Sequence, residues 1–145
     1  MYLAFDPGAT TGWCKFDDQG NALEWGQDNF DELIDHCNVW AFETWDAIIY
    51  EQFKLFRHKA QRQTGSTMPA SQAIGIIKTL IRNTNAKAVV QEASIKATAE
   101  KMTQMKAPSN HAQSHWVDAF NHGAYYLINE GIRKTYLEME QEQKK

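Results

Sequence analysis

Cysteine, proline and long apolar stretches are all scarce in this 145-residue chain. Its two cysteines, Cys14 and Cys37, are too few for a disulfide framework or a thiolate zinc site, and they fit a reducing compartment. No apolar run approaches the ~20 residues that a membrane span requires. The opening Met1-Tyr2-Leu3-Ala4-Phe5-Asp6 carries no cationic leader, so the expectation is a cytoplasmic protein with no membrane partner. Proline occurs only three times, and 43% of the residues are hydrophobic, which excludes wholesale disorder. The length suits one compact domain rather than two.

Basic residues are almost missing from the first third of the chain. Residues 1–50 hold ten acids against Lys15 alone, a balance of −9, whereas residues 51–106 carry +7 and residues 107–145 carry −1. The net charge of −3 therefore conceals a segregation that suits a polyanionic partner. The densest basic stretch is Lys54, Arg57, His58, Lys59 and Arg62, with Phe53 and Phe56 interleaved. Cations among aromatic rings suit phosphate neutralisation combined with base stacking.

Tyr2–Phe5 is a short apolar run ended by Asp6-Pro7-Gly8, which reads as a buried strand and a turn. Residues 12–17 and 22–27 supply two further strands, making an antiparallel opening of three. From Phe30 to about Phe42, Phe30, Leu33, Ile34, Cys37, Trp40 and Ala41 recur at helical spacing behind an acidic first turn. Residues 46–50 form a β-rich run that delivers Glu51 at its end. A helix follows from Pro69 to about Asn83, then a strand over 87–91 and a weak helix over 94–105. Ser114 caps a last helix running to about Gly131, and residues 133–145 form a charged tail, a frayed extension or disordered. The order βββαβαβα implies an α/β fold: a mixed five-stranded sheet, its first three strands antiparallel, flanked by helices. The domain is expected to span residues 1–132.

Three acids fall where such a sheet converges. Asp6 ends the first strand, Glu51 ends the fourth, and Asp118 lies near the start of the last helix. Carboxylates gathered in a low-dielectric cleft repel one another unless a cation sits between them. Hard divalent cations with oxygen ligands, Mg²⁺ or Mn²⁺, resolve that conflict, and a pair of them supports phosphodiester hydrolysis. His115 precedes Asp118 by three positions and shares its helical face, as a ligand or a proton acceptor. Taken singly, each acid is as readily a turn, a solvated or a dipole-favoured residue; their convergence is what carries weight.

Three blocks in order, residues 3–13 (Leu-Ala-Phe-Asp-Pro-Gly-Ala-Thr-Thr-Gly-Trp), residues 48–52 (Ile-Ile-Tyr-Glu-Gln) and residues 115–119 (His-Trp-Val-Asp-Ala), resemble the RuvC-type Holliday junction resolvases of the ribonuclease H-like superfamily, most closely their phage-encoded branch. The likeness runs from Met1 to about Leu127 and includes Ser71-Gln72-Ala73-Ile74-Gly75. It implies a ribonuclease H-like fold and a homodimer, in a bacterium or phage-infected host, that cuts two strands of branched DNA. It implies Mg²⁺ or Mn²⁺, two per site, held by the catalytic set Asp6, Glu51, His115 and Asp118. The best-known members carry an acid where this chain has His115, although histidine also occurs there. The family's aromatic wedge after the glutamate is bracketed by Phe53 and Phe56. Its glycine-rich loop has no counterpart, since residues 91–107 lack glycine; Lys96 and Lys101 stand there for backbone contact, with Lys54, Arg57, Lys59 and Arg62 as the other DNA contacts.

Three rivals stand beside this reading. An actin-like or kinase-like phosphate hairpin needs a second Asp-x-Gly hairpin and a longer chain, so no nucleotide cofactor is expected. A non-catalytic DNA-binding domain on the same fold has no use for acids that repel phosphate. A ribonuclease H-like nuclease acting on flaps or forks is the nearest competitor.

Overall fold

The computed structural model describes residues 1–53, 68–108 and 114–145. Among them, five strands form one sheet: β1 (Tyr2–Asp6), β2 (Thr11–Phe16), β3 (Ala22–Asp28), β4 (Ala47–Glu51) and β5 (Lys87–Gln91), in the order β3-β2-β1-β4-β5. The helices are α1 (Phe30–Trp40), α2 (Pro69–Thr84), α3 (Lys96–Thr103), α4 (Ser114–Asn129) and α5 (Tyr136–Gln143). β1, β2 and β3 pair antiparallel, whereas β4 and β5 run parallel to β1. The mixed sheet expected from the sequence is the one observed.

β1 is central, and Leu3, Ala4 and Phe5 are fully buried. That is why it reads as a continuous apolar run, where a half-exposed strand would alternate. The period of two then divides the core. Leu3, Phe5, Ile48 and Tyr50 pack with Leu33, Cys37 and Trp40 of α1 and Ala73, Ile77 and Leu80 of α2. Ala4, Cys14, Ala47 and Ile49 pack against Phe120, Ala124 and Leu127 of α4 on the other face. Both cysteines are buried free thiols, and burial pushes each up to about 12.

α1 begins with a capping box: Asn29 Oδ1 accepts from the Glu32 amide and Glu32 Oε1 accepts from the Asn29 amide, at 2.9 and 3.0 Å. Ile34, expected on the buried stripe, is half-exposed because its position rotates beyond the arc that Leu33, Cys37 and Trp40 bury. The charged tail forms its own helix, α5, after a break at Gly131 (φ +75°), with Thr135 accepting from the Glu138 amide. Arg133 ties the segment before it back to the domain, donating to the Gly20 carbonyl at 2.7 Å and lying over the Phe120 ring.

α4 comes unusually close to the sheet. A Cβ at Gly12 would collide with the His115 carbonyl, and one at Gly123 would strike the Phe16 ring. Two glycines thus set the depth at which α4 lies on β1 and β2.

Candidate active site

The division of the sheet into two faces decides which side chains meet. Asp6 shares its side of β1 with Tyr2 and Ala4, Glu51 its side of β4 with Ala47 and Ile49, and Gln91 its side of β5 with Lys87 and Val89. All three face α4 and lie at the C-terminal ends of adjacent parallel strands. α4 answers with His115, Asp118 and His122, at i, i+3 and i+7, on one helical face.

His115 Nδ1 stands 3.2 Å from Asp6 Oδ2. The start of α4 is held by a residue far away in sequence: Gln27 Oε1, on β3, accepts from the His115 and Trp116 amides at 3.0 and 3.3 Å. This satisfies two amides that a helix start leaves without intrahelical partners. It also fixes His115 over the end of β1.

Glu51 is held from behind. His122, only 2% exposed, places Nε2 at 3.1 Å from Glu51 Oε2 and Nδ1 at 2.8 Å from Gln91 Oε1. Each ring nitrogen faces an oxygen, so the imidazole donates to both when protonated and to one when neutral. Its hydrogen bond is the main reason the Glu51 carboxyl lies below its ordinary range; the His122 charge, a bond from Asp6 and Lys96 add to it, against burial. Asp6 moves the other way, pushed up to about 7 by burial first, then by the charges of Glu51 and Asp118.

Among the described residues, one cation, Lys96, reaches into the cup. Lys96 Nζ, from the start of α3, lies 3.1 Å from both Asp118 oxygens, but only Oδ2 meets it in hydrogen-bonding geometry. The buried Oδ1 is left without a hydrogen-bond partner. Burial lowers the Lys96 ammonium, but the bond to Asp118 and the charges of Asp118, Asp6 and Glu100 outweigh it, and the net direction is up.

These observations bear on whether a divalent cation suits the cup. Among the described residues, no three His, Cys, Asp or Glu side chains are gathered as a finished ligand set. The donor chemistry nevertheless fits. Burial and then neighbouring carboxylates raise Asp6, a buried carboxylate oxygen lacks a hydrogen-bond partner, and an imidazole stands at the rim.

Of the residues singled out from sequence, Asp6, Glu51, His115 and Asp118 line this cup, and Lys96 reaches into it. Phe53 lines an adjacent cleft of about 240 Å³ with Pro7, Glu51, Ala70 and Ile74. Lys101 is exposed on α3, five residues beyond Lys96 and therefore on a different side of the helix. Lys54, Phe56, Arg57, Lys59 and Arg62 lie outside the described residues. Sequence reasoning passed over His122, Gln91 and Gln27. For His122 a signal existed, since it continues the face begun by His115 and Asp118; for the two glutamines there was none.

No protein-family model matches the chain, and no curated protein sequence matches it. Among solved structures, the T. thermophilus RuvC in complex with a Holliday junction substrate superposes with a TM-score of 0.64 at 12% identity, covering 92% of this chain and 98% of that one. The Fowlpox virus resolvase, solved with Holliday junction DNA, gives a TM-score of 0.59 at 13% identity, covering 89% of this chain and 99% of that one. With its antiparallel three-stranded opening, its two parallel additions and α4 laid across them, the chain has the ribonuclease H-like fold of these resolvases.

Proposed function

We propose that this chain is a divalent-metal-dependent endonuclease that cuts four-way DNA junctions. The observation that supports this best is the meeting of Asp6 and Glu51, from adjacent parallel strands, with His115 and Asp118 of α4 in one cup, where burial first and the neighbouring carboxylates second raise Asp6. Asp6, Glu51 and Asp118, with His115 beside Asp6, would hold Mg²⁺ or Mn²⁺. Such ions lower the pKa of an attacking water and stabilise the departing oxygen.

The chain's own residues supply the rest. Glu51 is kept ionised and oriented by His122, so it is ready as an anionic ligand. His115, 34% exposed, is accessible to solvent and available to take a proton. Lys96 offsets charge in the cup and would pair with a backbone phosphate. Phe53, beside Glu51, or Phe56 would enter the stack at a crossover, and the basic residues between Lys54 and Arg62 would neutralise phosphates. A homodimer would pair the two cuts on a junction of approximate two-fold symmetry.

The deciding experiment offers a four-way junction, a flap, a Y-fork and plain duplex at equal concentration with Mg²⁺ or Mn²⁺. The expected result is preferred, paired cutting of the junction, lost in Asp6→Asn while junction binding persists. Preference for flaps or forks would make the chain a debranching nuclease. Cutting by Asp6→Asn at the parental rate would overturn the metal-site assignment.

A further inference from the structure

The tryptophans of this chain are not alike. Trp13, Trp40 and Trp45 are buried on the α1 side, whereas Trp25 is 51% exposed on β3, the edge strand. Trp25 is stacked on Trp116 of α4, with ring centroids 5.6 Å apart and planes at 26°. Trp116 directly follows His115, and Gln27, two residues along β3 on the same side as Trp25, binds the amides of both. Gln27 lies level with Asp6 through Gly12 of β2, so Trp25 stands two strand spacings across and two residues along from the end of β1, roughly 12 Å, the length of about three to four stacked nucleotides.

Acids are absent from this side of β3. Glu24 alternates to the opposite face, and Asp28 is buried there with its carboxylate 2.6 Å from His36 Nδ1. Trp25 and Gln27 therefore form an uncharged strip continuous with the start of α4, while Leu23 falls at the β-bulge that shifts the register beside Lys15 and Phe16. Phe53 lies beyond β4, so the two aromatics flank the acidic cup from opposite sides.

We propose that Trp25, backed by Trp116, is a stacking platform for one unstacked nucleobase of the cleaved strand, within about four nucleotides of the scissile phosphate. This rests on the nuclease reading above. Any base presents a π-face to such a ring, so the contact is sequence-tolerant. The ring already held by Trp116 loses little freedom when a base lands on it.

The test uses four-way junctions carrying 5-iodo-2′-deoxyuridine at successive positions around the cut, bound to the full chain in EDTA, irradiated and mapped by mass spectrometry. One substituted position is expected to crosslink to Trp25. Trp25→Ala should weaken junction binding roughly 10-fold, and Trp25→Phe should restore most of it, with little change in thermal unfolding for either. Suppose the native chain cuts junctions, yet no position crosslinks to Trp25 or Trp116 and Trp25→Ala binds normally. The platform is then wrong and the nuclease reading survives. If no branched DNA is cut or bound, the nuclease reading fails and takes the platform with it. A dimer that becomes monomeric on Trp25→Ala, seen by sedimentation, would assign the strip to a second copy and also overturn the proposal.

Discussion

At Asp6, burial and two neighbouring carboxylates act in the same direction, and the consequence is measurable without any substrate. Its carboxyl in the folded chain is raised to about 7 from 3.8. Folding is therefore favoured by the protonated form, a contribution complete below about pH 4 and lost as the pH climbs through 7. Glu51 acts oppositely, contributing above its ordinary 4.5 and losing that contribution as the pH falls. In EDTA at pH 8, Asp6→Asn should melt about 3–6 °C above the parent, with the gap closing towards pH 4. Added Mg²⁺ should raise the parent and leave Asp6→Asn nearly unmoved; differential scanning calorimetry across pH reads both effects. His122 makes a second residue-level case. Loss of a group that orients a ligand typically costs about 10- to 100-fold, so His122→Ala should lower kcat by that order, while His122→Gln, which keeps a donor, recovers part of it. An unchanged kcat in His122→Ala would separate Glu51 orientation from catalysis.

Among the elements, α4 carries most of the site, and its seating depends on what a glycine leaves open. Gly12→Ala drives a methyl group into the His115 backbone and should cost about 3 kcal/mol in urea unfolding, with cleavage falling further than stability. Gly75→Ala is the control. Nothing lies within 4 Å of that position in the middle of α2, so a gain of up to about 1 kcal/mol from helix propensity is expected. The same elements show where sequence reading succeeds. β1 and β4 were legible because burial on both faces writes apolar runs, and their terminal acids followed from where the runs stop. His122 was not read because it sits among Phe120, Ala124 and Leu127, where period alone marks core. Gln27 was beyond reach for a different reason: it caps a helix 88 residues away, and no local pattern encodes a contact that closure of the sheet creates. The tail, read as an extension of α4 or as disordered, is a separate helix packed near α3, since Gly131 ends α4 in a left-handed turn and Thr135 starts afresh.

For the whole molecule, the segregated charge would make the proposed binding to DNA sensitive to ionic strength in a way that can be counted. If Lys54, Arg57, Lys59 and Arg62 each neutralise one phosphate, replacing all four by glutamine should flatten the dependence of log Kd on log salt by about 3 to 4. Fluorescence anisotropy on a junction at several KCl concentrations measures it, and an unaltered slope would remove those four residues from the interface. The two cysteines lead to a practical property. Cys14 is enclosed in the layer under α4, Cys37 lies in the layer under α1 and borders a cleft with Ile34 and Ala41, and burial keeps both thiols almost wholly protonated at neutral pH. The native chain is consequently expected to react slowly with maleimides, and a single cysteine added on an exposed turn should react far faster, a difference that labelling followed by mass spectrometry measures. Dye pairs, one on that cysteine and one on a junction arm, then test the proposed binding in a background that keeps every wild-type core residue.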